Sequence, residues 1–194
     1  MISGIVLAAG AGSRFGGTKQ LEVVDGEPLA QHAIDTAAAA GLDEILVVTG
    51  HDAEAVEAAL TLPDGARFVR NPNHRDGQAT SLAAAFHDIA EDSEAAVVLM
   101  ADQPGVTPEV VTALIDGFRA TRAQIVRAAY RDGPGPSLLS REIYAEAGHL
   151  RGDIGARALM ASHPEWVAEV PIDADVPRDI DTREDLRGHE SGTD

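Results

Sequence analysis

The chain has 194 residues, 15 basic against 32 acidic side chains, and a formal charge of −17, a balance that argues against nucleic acid and anionic membrane as partners. It lacks the run of ~18 apolar residues that a membrane-spanning helix needs, so no span is expected. The absence of cysteine excludes disulfides, thiolate metal sites, iron–sulfur ligation and a cysteine nucleophile, and fits a cytoplasmic location.

Ile2 to Ala8 is an unbroken apolar run that predicts a buried first strand. No basic segment precedes it, so it does not read as a secretion signal. A glycine-rich loop follows, and Leu21 to Pro28 reads as a turn-rich connection around Asp25-Gly26. Pro28 to Ala40 predicts a helix, with Pro28 near its first turn and Gly41 just past its end. Glu44 to Thr49 is a second strand, Ala53 to Leu60 a helix, and Arg67 to Arg70 a short third strand. Gln78 to Ala90 is alanine-rich and helical, and Ala95 to Met100 is the most apolar strand. Pro108 to Thr121 (helix), Gln124 to Tyr130 (strand), Ile154 to Ser162 (helix), Trp166 to Ile172 (last strand) and Arg183 to Arg187 (helical turn) complete the series. The alternation predicts one α/β domain over residues 1–187, a three-layer α/β/α arrangement with a mainly parallel sheet. Residues 188–194 are expected to form a frayed acidic tail.

Lys19 is the only lysine; the other basic side chains are arginines. So acidic a surface reads either as ordinary solubility charge or as adaptation to high salt, which the near-loss of lysine favours. In either case, a polyanionic substrate must be met by a local cation cluster or a divalent metal.

Ligands of parallel sheets bind where strands end at their carboxyl edges. Three segments are expected there: Ala9 to Lys19, Gly50-His51-Asp52, and Ala101-Asp102-Gln103-Pro104. The first contains Gly10-x-Gly12-x-x-x-Gly16, close to a dinucleotide fingerprint, but a turn-rich segment follows it where that fold needs a helix. A P-loop is excluded because no Gly-Lys-Ser/Thr occurs. Glycines that expose backbone N–H groups, with Arg14 and Lys19 at the far end, suit phosphate, although a solvated loop has the same composition. Asp102 ends the most apolar strand, where a carboxylate is costly unless compensated. It reads either as a helix cap or as a magnesium ligand, magnesium usually taking one or two carboxylates. Gly77 to Ser81 opens a helix and suits a base edge, an anion or simple capping. Asp179 and Asp181 alternate, so in an extended segment they share one side.

Leu7-Ala8-Ala9-Gly10-x-x-x-Arg14-Phe15-Gly16-x-x-Lys19 is followed in order by Pro28-Leu29, Val48-Thr49-Gly50, Asn71, Gly77 with Ser81-Leu82, and Asp102-Gln103-Pro104. Leu150-Arg151-Gly152-Asp153-Ile154-Gly155-Ala156-Arg157, Asp179-Ile180-Asp181-Thr182 and Glu184-Asp185-Leu186 complete the set. Spread over nearly the whole chain, it resembles the nucleotidyltransferases of molybdenum-cofactor maturation. The resemblance implies a Rossmann-like fold of the glycosyltransferase-A type. It also implies transfer of a nucleotide from a triphosphate to a phosphorylated acceptor of the molybdopterin type, with release of pyrophosphate.

By the same resemblance, Arg14, Lys19 and Asp102 carry catalysis. Leu7, Ala8, Ala9, Gly10, Gly12, Asn71, Gly77 and Ser81 join Arg14 and Lys19 around the nucleotide. Gln103, Gly152 and Asp153 meet the acceptor, and Mg²⁺ is held by Asp102 with Asp179 or Asp181. Ala9 stands where the guanylyl-transferring branch usually has glycine, which favours CTP. A molybdoenzyme or its chaperone is implied as a transient partner. Guanylyl transfer, a sugar- or alditol-phosphate acceptor, and a non-catalytic cofactor-delivery module stay open. The chain departs from the pattern at Phe15, often Met, at Arg183, commonly proline, and at Gly133-Pro134-Gly135-Pro136-Ser137, which replaces a Gly-His-Pro-like segment of the acceptor loop. The first two are expected to have little consequence.

Overall fold

A strand buried on both faces sends alternate side chains into two different cores. In β1 (Ile2–Leu7), Ile5 and Leu7 enter one core and Ile2 and Val6 the other. The computed structural model describes residues 1–150, 152 and 156–191. After β1 comes a small hairpin, β2 (Val23–Val24) and β3 (Glu27–Pro28). The remaining strands are β4 (Glu44–Thr49), β5 (Ala66–Arg70), β6 (Ala95–Met100), β7 (Ile125–Ala129), β8 (Pro134–Ser140) and β9 (Val167–Pro171). Among the described residues, seven of these strands form one sheet in the order β5-β4-β1-β6-β8-β7-β9. All its pairings are parallel except those of β8, which runs against both β6 and β7.

Helices cover both faces. Between the strands lie α1 (Leu29–Ala39), α2 (Ala53–Ala59), α3 (Gln78–Asp88), α4 (Pro108–Thr121), α5 (Tyr144–Gly148) and α6 (Arg157–Ser162). The chain's described part ends in α7 (Arg183–Ser191). Ile34 of α1, Val56 of α2 and Leu114 of α4 pack with Val6 and Val97, while Leu82 of α3, Ala147 of α5 and Leu159 of α6 pack with Ile5 and Leu46. The expected three-layer α/β architecture is therefore present.

The structure departs from the sequence reading in four places. Leu21 to Pro28 contains the β2–β3 hairpin, whose Asp25 and Gly26 both take positive φ, 50° and 91°, as a two-residue hairpin turn of the Asp-Gly kind requires. Pro134 to Ser137 is strand rather than loop: β8 is masked in the sequence by the prolines at its start, where Pro134 lies opposite Ala129, the last residue of β7. Helix α5 was not anticipated at all. The last helix continues past Arg187 to Ser191, so residues 188–191 are helical rather than tail-like.

A third, smaller core decides where the chain's last segment lies. Phe15 of the glycine loop, Val24 of the hairpin, Leu29 of α1 and Ile180 are buried together, with Leu186 of α7 against them. Burying a side chain the size of Ile180 contributes about 1.5–3 kcal/mol. The first two departures from the family pattern also meet here: the Arg183 guanidinium lies over the Phe15 ring, 4.9 Å from its centroid. Arg183 thus has a structural consequence that its sequence position alone does not predict.

Candidate active site

Strand order brings the three expected loops together. β4, β1 and β6 are adjacent and parallel, so the segments after Thr49, Leu7 and Met100 emerge side by side. The segments after Leu7 and Met100 border a cleft of about 540 Å³, with Gly77, Gln78 and Ser81 of the α3 start on another wall; the expected Gly50-His51-Asp52 segment does not line it.

The glycine loop is held in shape by local constraints. Gly12 has φ +57°, and a Cβ there would fall 2.1 Å from the Gly17 carbonyl oxygen, so a side chain is excluded on both counts. Its carbonyl accepts the N–H groups of Phe15 and Gly16, each at 2.9 Å. Gln20, almost fully buried, donates from Nε2 to the carbonyls of Ala8 and Gly10 at 3.0 and 2.7 Å. Thr18 donates to Asp52, tying the loop to the turn after β4. Replacing Gln20 by Leu removes its amide bonds to the Ala8 and Gly10 carbonyls. We expect a stability loss of about 1–3 kcal/mol, seen as a melting temperature roughly 3–10 °C lower, together with weaker triphosphate binding. An unchanged melting curve would show that the loop holds its shape without this staple.

The loop delivers Lys19 to two carboxylates. Its Nζ lies 2.7 Å from Asp102 Oδ2 and 2.8 Å from Asp181 Oδ1. Side-chain exposure is only 12% for Lys19 and 16% for Asp102, so the pair is largely removed from solvent. Burial works against the ammonium, but pairing with Asp102 and Asp181 outweighs it and raises the Lys19 pKa above its usual 10.5. Arg14, 76% exposed at the rim, reaches the other Asp181 oxygen at 2.9 Å. Asp102 is therefore an ion-pair partner in this structure, and the capping alternative is not what it does here.

Asp181 arrives by tertiary packing. Buried Ile180 anchors the segment, and its N–H donates to the Asp102 carbonyl at 2.9 Å. Thr182 and Asp185 then form a reciprocal cap at the start of α7: Asp185 Oδ2 accepts the N–H groups of Asp181 and Thr182 at 3.1 and 2.7 Å, and Thr182 Oγ1 accepts the Asp185 N–H at 3.2 Å. The Thr-x-x-Asp spacing was a legible signal for this cap. Asp179 turns to Gln103, whose Nε2 donates to it at 2.6 Å. Burial is the main cause that raises the Asp179 carboxyl above its ordinary range; the Gln103 bond opposes it, and the charges of Asp102 and Asp181 add to it.

Of the other expected residues, Leu7, Ala9, Gly10, Gly12, Gly77 and Ser81 line the cleft. Ala8 and Asn71 do not. The Ala8 N–H is spent on the Val48 carbonyl, and buried Asn71 acts behind the wall, donating from Nδ2 to Thr80 and Ser81 at 2.8 and 3.0 Å. Gly152 backs onto Gly77, where a Cβ would meet the Gly152 backbone at 2.4 Å. Asp153 lies outside the described residues. Cleft residues that the sequence did not single out include Gln20, His74 and Arg75.

The site also fits a divalent cation. Two carboxylates already converge on one positive centre, and hard oxygen donors are what magnesium and manganese take. Among the described residues, no group of three or more acidic or histidine side chains forms a self-sufficient metal cage. Any metal here needs ligands from substrate or water, the usual situation for magnesium at phosphates.

The sequence profile of the MobA-like NTP transferase domain matches residues 4–167. The chain belongs to this family. Among its relatives is nicotine blue oxidoreductase of Paenarthrobacter nicotinovorans, 32% identical over 95% of this chain and 94% of that protein. The bifunctional protein GlmU of Sorangium cellulosum is 35% identical over 87% of this chain, which spans only 35% of GlmU. Among solved structures, Rv0371c of Mycobacterium tuberculosis H37Rv has 34% identity and a TM-score of 0.86, covering 97% of this chain and 96% of that one. A structure of Rv0371c in complex with manganese gives a TM-score of 0.84 at 32% identity, covering 99% of each chain. As a member of the MobA-like family, the chain is a nucleotidyltransferase-type domain. None of its described helices is long and apolar enough to cross a membrane.

Proposed function

We propose that the chain transfers a cytidylyl group from CTP to a phosphorylated acceptor of the molybdopterin type, releasing pyrophosphate. The observation that carries this reading is the convergence of Lys19, Arg14, Asp102 and Asp181 at one side of a cleft floored by a glycine loop. In-line attack of an acceptor phosphate oxygen on the α-phosphorus needs no protein nucleophile; it depends on positioning and charge. The loop between Leu7 and Lys19 holds the triphosphate. Lys19 exchanges its carboxylate partners for phosphate oxygens and offsets charge on the leaving pyrophosphate, and Arg14 swings in from the rim. Asp102 and Asp181 are the pair that would hold Mg²⁺, which when bound supplies charge neutralisation at the phosphates. The geometry favours Asp181 over Asp179 as second carboxylate, since Asp179 is engaged by Gln103. The manganese complex of Rv0371c supports divalent-metal use. Gly152 and Gln103 stay on the acceptor side of this reading, with Asp153 next to Gly152 in sequence. The cysteine-free composition supports a cytoplasmic setting, with a molybdoenzyme or its chaperone as transient recipient of the product.

Nucleotide choice rests on Ala9, whose methyl lies in the cleft wall beside Gly50; a Cβ at Gly50 would stand 3.0 Å from it. One methyl in a binding pocket is worth about tenfold or more, so kcat/KM for CTP is expected to exceed that for GTP by roughly that factor. Pyrophosphate release across the four triphosphates with candidate acceptors tests both points. A clear GTP preference overturns the cytidylyl assignment, and no release with any triphosphate overturns nucleotidyl transfer.

A second reading is favoured by the Paenarthrobacter relative, which carries the name of an oxidoreductase and matches this chain along nearly its whole length. There the cleft would hold a nucleotide cofactor for electron transfer. Acceptor-dependent pyrophosphate release without any electron donor separates the two.

A further inference from the structure

A second cavity of about 250 Å³ adjoins the nucleotide cleft and shares Leu7, Gln78 and Met100 with it. The sheet face beneath it is apolar at Ala96, Ile125 and Leu139, all buried there. Arg127 interrupts that face. It stands on β7 opposite Ser137 of β8 and Glu169 of β9, where the β7–β8 ladder slips register, an irregularity that re-aims side chains near sites.

The Arg127 guanidinium is only partly satisfied. One nitrogen donates to Glu169, and another lies 3.9 Å from the Met160 sulfur, a weak acceptor. Nε is buried and without a partner among the described residues. An unbonded donor on a charged group is expensive, which calls for a partner. Arg157, the first residue of α6, lines the same cavity and has no ion-pair partner among the described residues. It precedes Met160 by three positions, so the two share a helix face, and Met160 touches Arg127. Both arginines therefore belong to one place. Among the described residues, the acidic groups nearby are engaged, Glu169 by Arg127 and Asp179 by Gln103.

We infer that this cavity binds the acceptor through an anionic group, a phosphate or carboxylate held by Arg127 and Arg157, with the acceptor's apolar body against Leu82, Met100 and Met160. The assignment rests on the nucleotidyl-transfer reading and narrows it to an acceptor with an anionic group beside an apolar body, against one whose body is a polar sugar or alditol. Neither arginine lines the nucleotide cleft, and neither Lys19 nor Arg14 lines this cavity, so the anion is bound apart from the triphosphate.

The chain has three methionines, Met1, Met100 and Met160, which make a site-specific readout. The full chain, labelled with ¹³C at the methionine methyls, is titrated with phenyl phosphate, benzoate and neutral benzyl alcohol. Phenyl phosphate or benzoate is expected to shift Met160 and Met100 and leave Met1 in place, the tighter of the two naming the anion. Benzyl alcohol is expected to bind about tenfold more weakly or worse. Arg127→Gln and Arg157→Gln should each weaken the preferred anion by roughly tenfold or more, with free-state methyl spectra like the parent's as the check on folding. Should Arg127→Gln disturb the sheet, Arg157→Gln on the exposed helix surface carries the test. An unmoved Met160 signal, equal affinity for benzyl alcohol, or parent-like affinity in Arg157→Gln overturns the inference. CTP-dependent pyrophosphate release in the same preparations reads the other site: anion binding without it leaves the two arginines standing as an anion site and overturns nucleotidyl transfer, and with it the acceptor's place there.

Discussion

Asp102→Asn is expected to lower kcat by about 10²–10³, the range for losing one preorganised electrostatic group at a reacting centre. The substitution keeps the shape and one oxygen acceptor but removes the charge that, with Asp181, would attract a divalent metal. The apparent Mg²⁺ or Mn²⁺ affinity in the presence of nucleotide should fall in parallel. Stability is also expected to fall. The position at the end of the most apolar strand suggests an uncompensated carboxylate whose removal is nearly neutral, but the 2.7 Å contact with Lys19 reverses that. Lys19 keeps Asp181 at 2.8 Å, and neither group is fully buried, so the loss should be about 1–2 kcal/mol rather than the 3–5 of a fully buried broken pair. Thermal melts together with metal titrations check this. Turnover and metal affinity equal to the parent's would reduce Asp102 to an anchor for Lys19.

Lys19→Ala should cost roughly 10²–10³ in turnover at saturating triphosphate, because the cation nearest the leaving group is lost. Its structural signature differs from that of Asp102→Asn. Asp102 and Asp181 are left with only the exposed Arg14, on Asp181, as counter-charge, so the melting temperature should drop, and millimolar Mg²⁺ or Mn²⁺ should restore it without restoring the rate. A melting temperature insensitive to divalent metal in this variant would argue against the two carboxylates as a metal pair. Full turnover would remove Lys19 from the chemistry.

Much of the site was legible before any tertiary information. Ile2 to Leu7 and Ala95 to Met100 are continuous apolar runs, which a central parallel strand needs and little else tolerates at that length. Strands so buried must release the chain at their carboxyl edges, and that placed the Gly10–Lys19 loop and Asp102 at one end of the sheet. Lys19 stood out because composition had removed lysine everywhere else. Asn71 was legible as special but not in kind: burial of its side chain behind Thr80 and Ser81, rather than exposure in the cleft, depends on how β5 meets α3.

Periodicity and capping act over a few residues, so the sequence alone determined the faces of each element, the glycine loop, and the Asp-x-Asp alternation that brackets Ile180. It carried no information on which loops would meet. Asp181 reaches Lys19 across 162 positions because Ile180 finds its apolar partners in Phe15, Val24 and Leu29, a core assembled from four separate segments. Arg127 is the one charged residue of β7; the place inferred for it depends on β8 lying between β6 and β7 and on α6 bringing Arg157 and Met160 to the same cavity. The reason is physical: long-range pairing is selected by the summed burial of many side chains after the elements exist, and no local signal encodes that sum.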